Sequence, residues 1–248
     1  MFEELSGKAV ADGPIVSCHS LVKRYMVGAV EVPALTGVDL DILPGDFATL
    51  SGPSGSGKTT LLNMIGGLDS PSEGAVSVNG NDLGILDKAR LTELRLHKIG
   101  FVFQAYNLIP VLSAAENIEL ILQLLGVDVK ERHDRARIAL RDVGLEGLED
   151  RRPSYLSGGQ QQRVAVARAL VAQPAIVLAD EPTANLDSKT TEDLVALMAR
   201  LNADSGVTFL ISTHDARVIS HSRRHIVMTD GRITEDEHRV TVNIKADG

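Results

Sequence analysis

The sequence predicts an α/β fold in which a mostly parallel sheet presents a phosphate-binding loop at the carboxyl end of one strand. Three observations carry that prediction. Gly52-Pro53-Ser54-Gly55-Ser56-Gly57-Lys58-Thr59-Thr60 contains a complete G-x-x-x-x-G-K-[ST] loop, led into by the run Phe47–Ser51 and followed by a helical pattern from Lys58. That strand–loop–helix context is the one the motif requires. Residues 176–179 and Thr208–Ser212 are nearly continuous apolar runs, as parallel strands are when both faces are covered. The pattern then turns helical between Tyr106 and Leu156, which predicts a helical subdomain at about 106–160 inserted in the α/β core.

In chain order, residues 1–14 read as a loose polar tail. Residues 15–25 and 38–43 alternate apolar and polar side chains, as half-buried antiparallel strands do, and predict an N-terminal antiparallel subdomain. Phe47–Ser51 is the strand that feeds the loop, and Lys58–Ile65 the helix after it. Further strands are expected at 75–78, Ile99–Phe103, 176–179 and Thr208–Ser212. Residues 114–125 form a strongly apolar helix and 129–143 a charged amphipathic one. A third amphipathic run, 164–171, follows Leu156-Ser157-Gly158-Gly159-Gln160, and 188–202 is a fourth. Residues 224–233 read as a final hairpin or strand. The globular domain is expected to span 15–234, with 235–248 a second tail.

The chain has 248 residues, and its 44% hydrophobic and 23% charged content are ordinary for a globular protein. A formal net charge of −8 argues against nucleic acid or anionic lipid as the main partner. The single cysteine, Cys18, excludes an internal disulfide and is expected to be a buried, inert thiol. The acidic N-terminus lacks the basic-then-apolar order of a signal peptide. No apolar stretch approaches the roughly 20 residues of a membrane helix. A cytoplasmic protein is expected, held at a membrane only through a partner.

Two segments are suited to phosphate. In the first, glycines let backbone N–H groups converge on an anion, Lys58 supplies a mobile positive charge, and the Thr59 hydroxyl suits a Mg²⁺ that bridges phosphates. In the second, Ser157 stands where an N-cap would, before two glycines that permit close backbone approach. The pair serves either two nucleotides or one site formed between two molecules.

Polar residues end three of the expected strands, where ligands bind in open parallel sheets. Asp180 is the candidate for holding Mg²⁺ through water. Glu181 is the candidate general base for attack on a γ-phosphate; the alternative is a pair of solvated turn acids. Gln104 orders the attacking water or touches Mg²⁺, or is a surface amide. His214 bonds the γ-phosphate or orients the base, or is structural. His97, His133, His221 and His225 show no ligand spacing and read as surface residues. Tyr25 is either an adenine platform or a strand-face aromatic.

The phosphate loop, Gln104, Leu156-Ser-Gly-Gly-Gln160, Leu178-Ala-Asp-Glu181, Ala184-Asn-Leu-Asp187 and His214 occur in the order seen in ATPase subunits of ABC transporters. The chain resembles that family over about 15–233. Gly67-Leu-Asp69, the run from Phe101 to Pro110 and the run from Leu156 to Arg163 resemble the branch serving lipoprotein-release, macrolide-export and cell-division complexes. The resemblance implies a phosphate-loop NTPase with a RecA-like core, using ATP and Mg²⁺. It implies that two copies sandwich two ATP molecules head to tail. Each phosphate loop then faces Ser157, Gly158, Gly159 and Gln160 of the other copy, with Asp187 on the loop crossing between them. Tyr25 matches the adenine-stacking position, and 106–110 a groove for a membrane subunit. The implied partner is an integral membrane permease with a large extracytoplasmic domain, and the implied place the cytoplasmic side of the cell membrane. The implied work is export or extraction. A relative of the same branch would instead regulate an envelope hydrolase without moving substrate; a soluble DNA-repair or translation ATPase fits less well. Ala184 stands where the branch commonly has Gly, and Thr59 where it has Ser, which keeps the hydroxyl.

Overall fold

The computed structural model describes residues 13–239. Its first sheet is antiparallel. Strands β1 (Val16–Val27) and β2 (Val30–Ile42) form a long hairpin. Next come β3 (Phe47–Ser51), helix α1 (Lys58–Ile65), β4 (Glu73–Val78) and the short β5 (Asn81–Asp82). The order in this sheet is β2-β1-β4-β5.

The second sheet is built on β3. Helix α2 (Lys88–Lys98) leads into β6 (Ile99–Phe103), and helices α3 (Ala114–Leu124), α4 (Val129–Asp142) and α5 (Gly158–Leu170) follow. Then come β7 (Ile176–Asp180), α6 (Ser188–Ser205), β8 (Thr208–Ser212), α7 (Ala216–Ser220), β9 (Arg224–Thr229) and β10 (Arg232–His238). The sheet order is β10-β9-β3-β8-β7-β6, parallel throughout except for the closing β9–β10 hairpin. The mixed α/β class read from the sequence is the class observed.

The continuous apolar runs are explained by two cores, one on each face of the second sheet. Along β7, Ile176 and Leu178 point to a core shared with α1 and the antiparallel sheet. Val177 and Ala179 point to another shared with α3–α6. Strand β8 alternates the same way, with Leu210 on the first side and Phe209 and Ile211 on the second. A strand covered on both faces has no polar side to show. The loop-bearing strand β3 is buried along its whole length and lies between β8 and β9. Its end, like those of β6, β7 and β8, opens on the same edge of the sheet.

Several boundaries differ from expectation. Strand β2 starts at Val30 rather than 38, because its first five residues are exposed or half-exposed and carry no alternation. Helix α2 was not foreseen: only its Leu94 is buried, so it has almost no apolar stripe, although Asp87 caps it by accepting from Arg90 N at 2.8 Å. Five-residue α7, started by Asp215, is too short for a periodic signal. Strand β10 runs to His238, four residues into the expected C-terminal tail, because it pairs with β9 to its end. The other tail residues, apart from 13, 14 and 239, lie outside the described residues.

Candidate functional site

The strand ends enclose a cleft of about 620 Å³ lined by the whole loop from Gly52 to Thr60 together with Ala34, Gln104, Glu181, Ala184 and His214. Gly52 has φ 142°, and a Cβ there would lie 2.1 Å from the Met228 carbonyl oxygen, so only glycine fits where the chain leaves β3. The N-cap position of helix α1 is Gly57, which has no side chain to bond the first turn. Its first N–H groups are therefore left to a ligand or water. The Ser56 Oγ is buried with no hydrogen-bond partner in the same loop. The nearly buried Lys58 ammonium folds onto its own loop, donating to the carbonyls of Gly52 at 2.8 Å and Pro53 at 3.0 Å. Uncapped helix start, orphaned hydroxyl and ammonium make an anion site whose donors share one hollow.

Beside the loop, the Thr59 hydroxyl donates to both Asp180 oxygens, at 3.0 and 3.2 Å, and Ser212 Oγ donates to Asp180 at 2.5 Å. A hydroxyl, a carboxylate and the nearby Gln104 amide are hard oxygen donors. No three His, Cys, Asp or Glu side chains converge among the described residues. That donor set fits Mg²⁺, which takes one or two protein ligands and completes its shell with water and phosphate.

Glu181 directly follows β7 with φ 47°, held there by its N–H bonding the Ser212 carbonyl at 3.1 Å. The αL turn directs its carboxylate to His214, whose Nδ1 lies 2.9 Å from Oε1. Glu181 is 19% exposed and His214 71%, so the imidazole covers the carboxylate from the solvent side. With Nδ1 engaged, Nε2 is the free ring atom. Gln104 starts the turn after β6, its carbonyl accepting from Asn185 Nδ2 at 3.0 Å.

Ser157, Gly158, Gly159 and Gln160 do not line this cleft. They start α5, where Ser157 Oγ accepts from Gln160 N at 3.3 Å and the Gln160 side chain accepts from Ser157 N at 2.9 Å, a closed capping box. A Cβ on Gly159 would come within 2.3 Å of Thr190 Cγ2, so this start is packed on the first turn of α6. That turn is capped by Asp187, which accepts from Thr190 N at 2.9 Å and Thr190 Oγ1 at 2.6 Å. The Thr190 bonds, the side-chain one above all, hold the Asp187 carboxyl below its usual value.

Tyr25 also lies outside the cleft lining, 37% exposed on β1, beside Thr60. Its hydroxyl donates to Asp69 at 2.9 Å, Lys23 Nζ bonds the same carboxylate at 2.7 Å, and that ammonium sits 4.9 Å from the Tyr25 ring centre. The sequence singled out Asp69 only as part of a motif and did not single out Lys23. Ser212 and Asn185 were missed as supports of Asp180 and of the Gln104 turn, since a strand serine and a loop asparagine carry no periodic or spacing signal. His225, expected on the surface, is half-buried and bonds Ser51 at 2.7 Å.

A family model described as "ABC transporter" matches residues 35–184. The chain is 44% identical over 223 residues to the macrolide export ATP-binding/permease protein MacB of Marinobacter nauticus, covering 90% of this chain and 34% of that relative. It thus spans about a third of the MacB relatives' length. It is 45% identical over 224 residues to the lipoprotein-releasing system ATP-binding protein LolD of Anaeromyxobacter dehalogenans, covering 90% of this chain and 94% of LolD. Among solved structures it is similar to a dimer of the cassette MJ0796 of Methanocaldococcus jannaschii in a post-hydrolysis state bound to ADP and Pi. There the TM-score is 0.84 at 44% identity, covering 90% of this chain and 98% of that one.

Proposed function

The chain belongs to the ABC transporter family of ATP-binding cassettes, and from that premise we propose that it is an ATP-hydrolysing motor subunit that works as a head-to-tail dimer. One observation carries the reading: the cleft gathers residues 52–60, Gln104, Glu181 and His214, with Asp180 bonded to Thr59 beside it, while the other phosphate-suited segment, Ser157–Gln160, is kept elsewhere by the fold. A second copy supplies that segment, and the dimeric state of the similar MJ0796 cassette supports such pairing.

In this reading the phosphates lie on residues 52–60, adenine rests on Tyr25, and Lys58 turns from its loop carbonyls to the phosphate tail. Thr59, Gln104 and, through water, Asp180 would hold Mg²⁺, which when bound neutralises phosphate charge. Glu181 accepts a proton from a water whose oxygen bonds the γ-phosphorus. The bond from that phosphorus to the bridging oxygen breaks, leaving ADP and phosphate. His214 holds the Glu181 carboxylate through Nδ1 and presents Nε2 toward the γ-phosphate. Asp187 keeps the loop facing the other copy in place by capping α6. The division into a domain at 15–234 with a helical insert at about 106–160 belongs to the same reading.

The MacB name, of an export ATP-binding/permease protein, and the LolD name, of a lipoprotein-releasing ATP-binding protein, support work with a membrane permease and export or extraction as its outcome. A permease on a separate chain and a place at the cytoplasmic face of the cell membrane are part of the proposal. No helix among the described residues is long and apolar enough to cross a membrane. A permease with a large extracytoplasmic domain is the partner proposed. Glu181→Gln should lower ATP turnover on the order of 10²-fold or more while ATP drives the chain into a stable dimer. Turnover assays and sedimentation check this; a variant with wild-type turnover, or one that stays monomeric with ATP, would sink it. Copurification with a permease, followed by a cargo-release assay, tests the transport part.

A further inference from the structure

The turn that carries Gln104 is held by its carbonyls, and none of the side chains that hold it belongs to the cleft. Gln162 of α5 donates to the Phe103 carbonyl at 3.3 Å, and Asn185 donates to that of Gln104 at 3.0 Å. Arg168, near the far end of α5, donates from one guanidinium to two carbonyls, Tyr106 at 2.9 Å and Asn107 at 2.6 Å. Those two residues are left-handed in succession, φ 62° and 50°, and neither is glycine. For a bulky residue such as Tyr106 that conformation persists only where its surroundings over-determine it, whereas asparagine adopts it readily. The guanidinium is half-buried, burial alone pushes its basicity down, and it bonds carbonyls rather than a carboxylate. A charge withdrawn from water without a counter-ion is costly, and two strong acceptors offset that cost. The strained turn and the desolvated cation compensate each other.

The same turn also reaches the start of α5. The Tyr106 hydroxyl is so close to Gly158 that a Cβ there would lie 2.8 Å from it. Gln104 is thereby linked to α5 at its first turn, its second turn and its last.

We infer that Arg168 is a positioning residue: by clasping the Tyr106 and Asn107 carbonyls it fixes the turn that carries Gln104 on α5, and with it the place of Gln104 at the cleft. Hydrogen exchange of the free monomer reads the clasp. Arg168→Met should speed exchange of the Tyr106 and Asn107 amides, both hydrogen-bonded within the turn, at least tenfold. The α5 core amides should keep their protection, and Arg168→Lys should restore part of the loss. Unchanged exchange in the turn, or equal acceleration throughout α5, overturns the clasp.

Discussion

The starts of α1 and α5 look alike in sequence, a glycine-rich turn entering a helix, yet they are finished in opposite ways. At α1 the cap is Gly57 with φ 102°, no side chain satisfies the first N–H groups, and Ser56 Oγ is buried without a partner. At α5 the capping box of Ser157 and Gln160 closes the start from within. An open helix start is a standing anion site; a self-capped one has two of its hydrogen bonds committed to itself. The difference bears on which element would bind nucleotide in a single chain. On the proposed reading the α1 start does so alone, whereas the α5 start would have to exchange internal bonds for phosphate bonds, which is worthwhile only when another molecule's phosphate is pressed against it.

The largest effect is expected at the open start. Lys58→Ala removes charge-assisted hydrogen bonds of about 1.5–3 kcal/mol, so ATP affinity of the monomer should fall roughly 10- to 100-fold. Calorimetry showing unchanged affinity would break the comparison at its strong end. At the closed start Ser157→Ala should leave monomer affinity unaltered. It should cost about 1 kcal/mol of stability as a lost cap and lower turnover roughly tenfold, the worth of one transition-state hydrogen bond. A fall in monomer affinity would mean that α5 reaches its own chain's nucleotide.

The smallest effect lies at neither start. Burial works to raise the Asp69 carboxyl, but the bonds from the Lys23 ammonium, the Ser70 N–H and the Tyr25 hydroxyl outweigh it and hold the group below its usual value. A depressed carboxylate contributes stability that is complete above its unfolded value and is lost as pH falls through the folded one. Wild type should therefore lose melting temperature below about pH 4, and Asp69→Asn should flatten that limb by about 2 °C or less, the scale of a partly exposed pair. Melting curves from pH 6 to 3 check it; parallel limbs for both proteins would remove Asp69 from the acid-sensitive groups.

Much of this is legible in the sequence. Phe47–Ser51, Ile99–Phe103 and Thr208–Ser212 fall where they were read, because strands covered on both sides leave unbroken apolar runs. The buried Cys18 thiol, pushed up to about 12 by burial and then by Asp41 and Asp39, also agrees with its expected inertness. The family resemblance drawn from motif order agrees with the family match. Helix α2 was illegible because one buried leucine makes no stripe, and the start of β2 because its first five residues are exposed or half-exposed. In the cleft, Glu181 and His214 were legible as strand-end polar residues. The Ser212, Asn185 and Arg168 contacts were not, since they join residues that nothing in sequence spacing relates.

By itself the sequence determined the α/β class, the phosphate loop and the set of residues at the strand ends, because local periodicity and glycine placement dictate backbone form within a few residues. Only the tertiary structure decided that Glu181 lies against His214, that Thr59 lies against Asp180, and that Ser157–Gln160 lies away from both. Those facts depend on which strands neighbour β3 and on which way α5 points. Such relations are set by packing two cores onto one sheet, between residues far apart in the chain, and no local pattern encodes them.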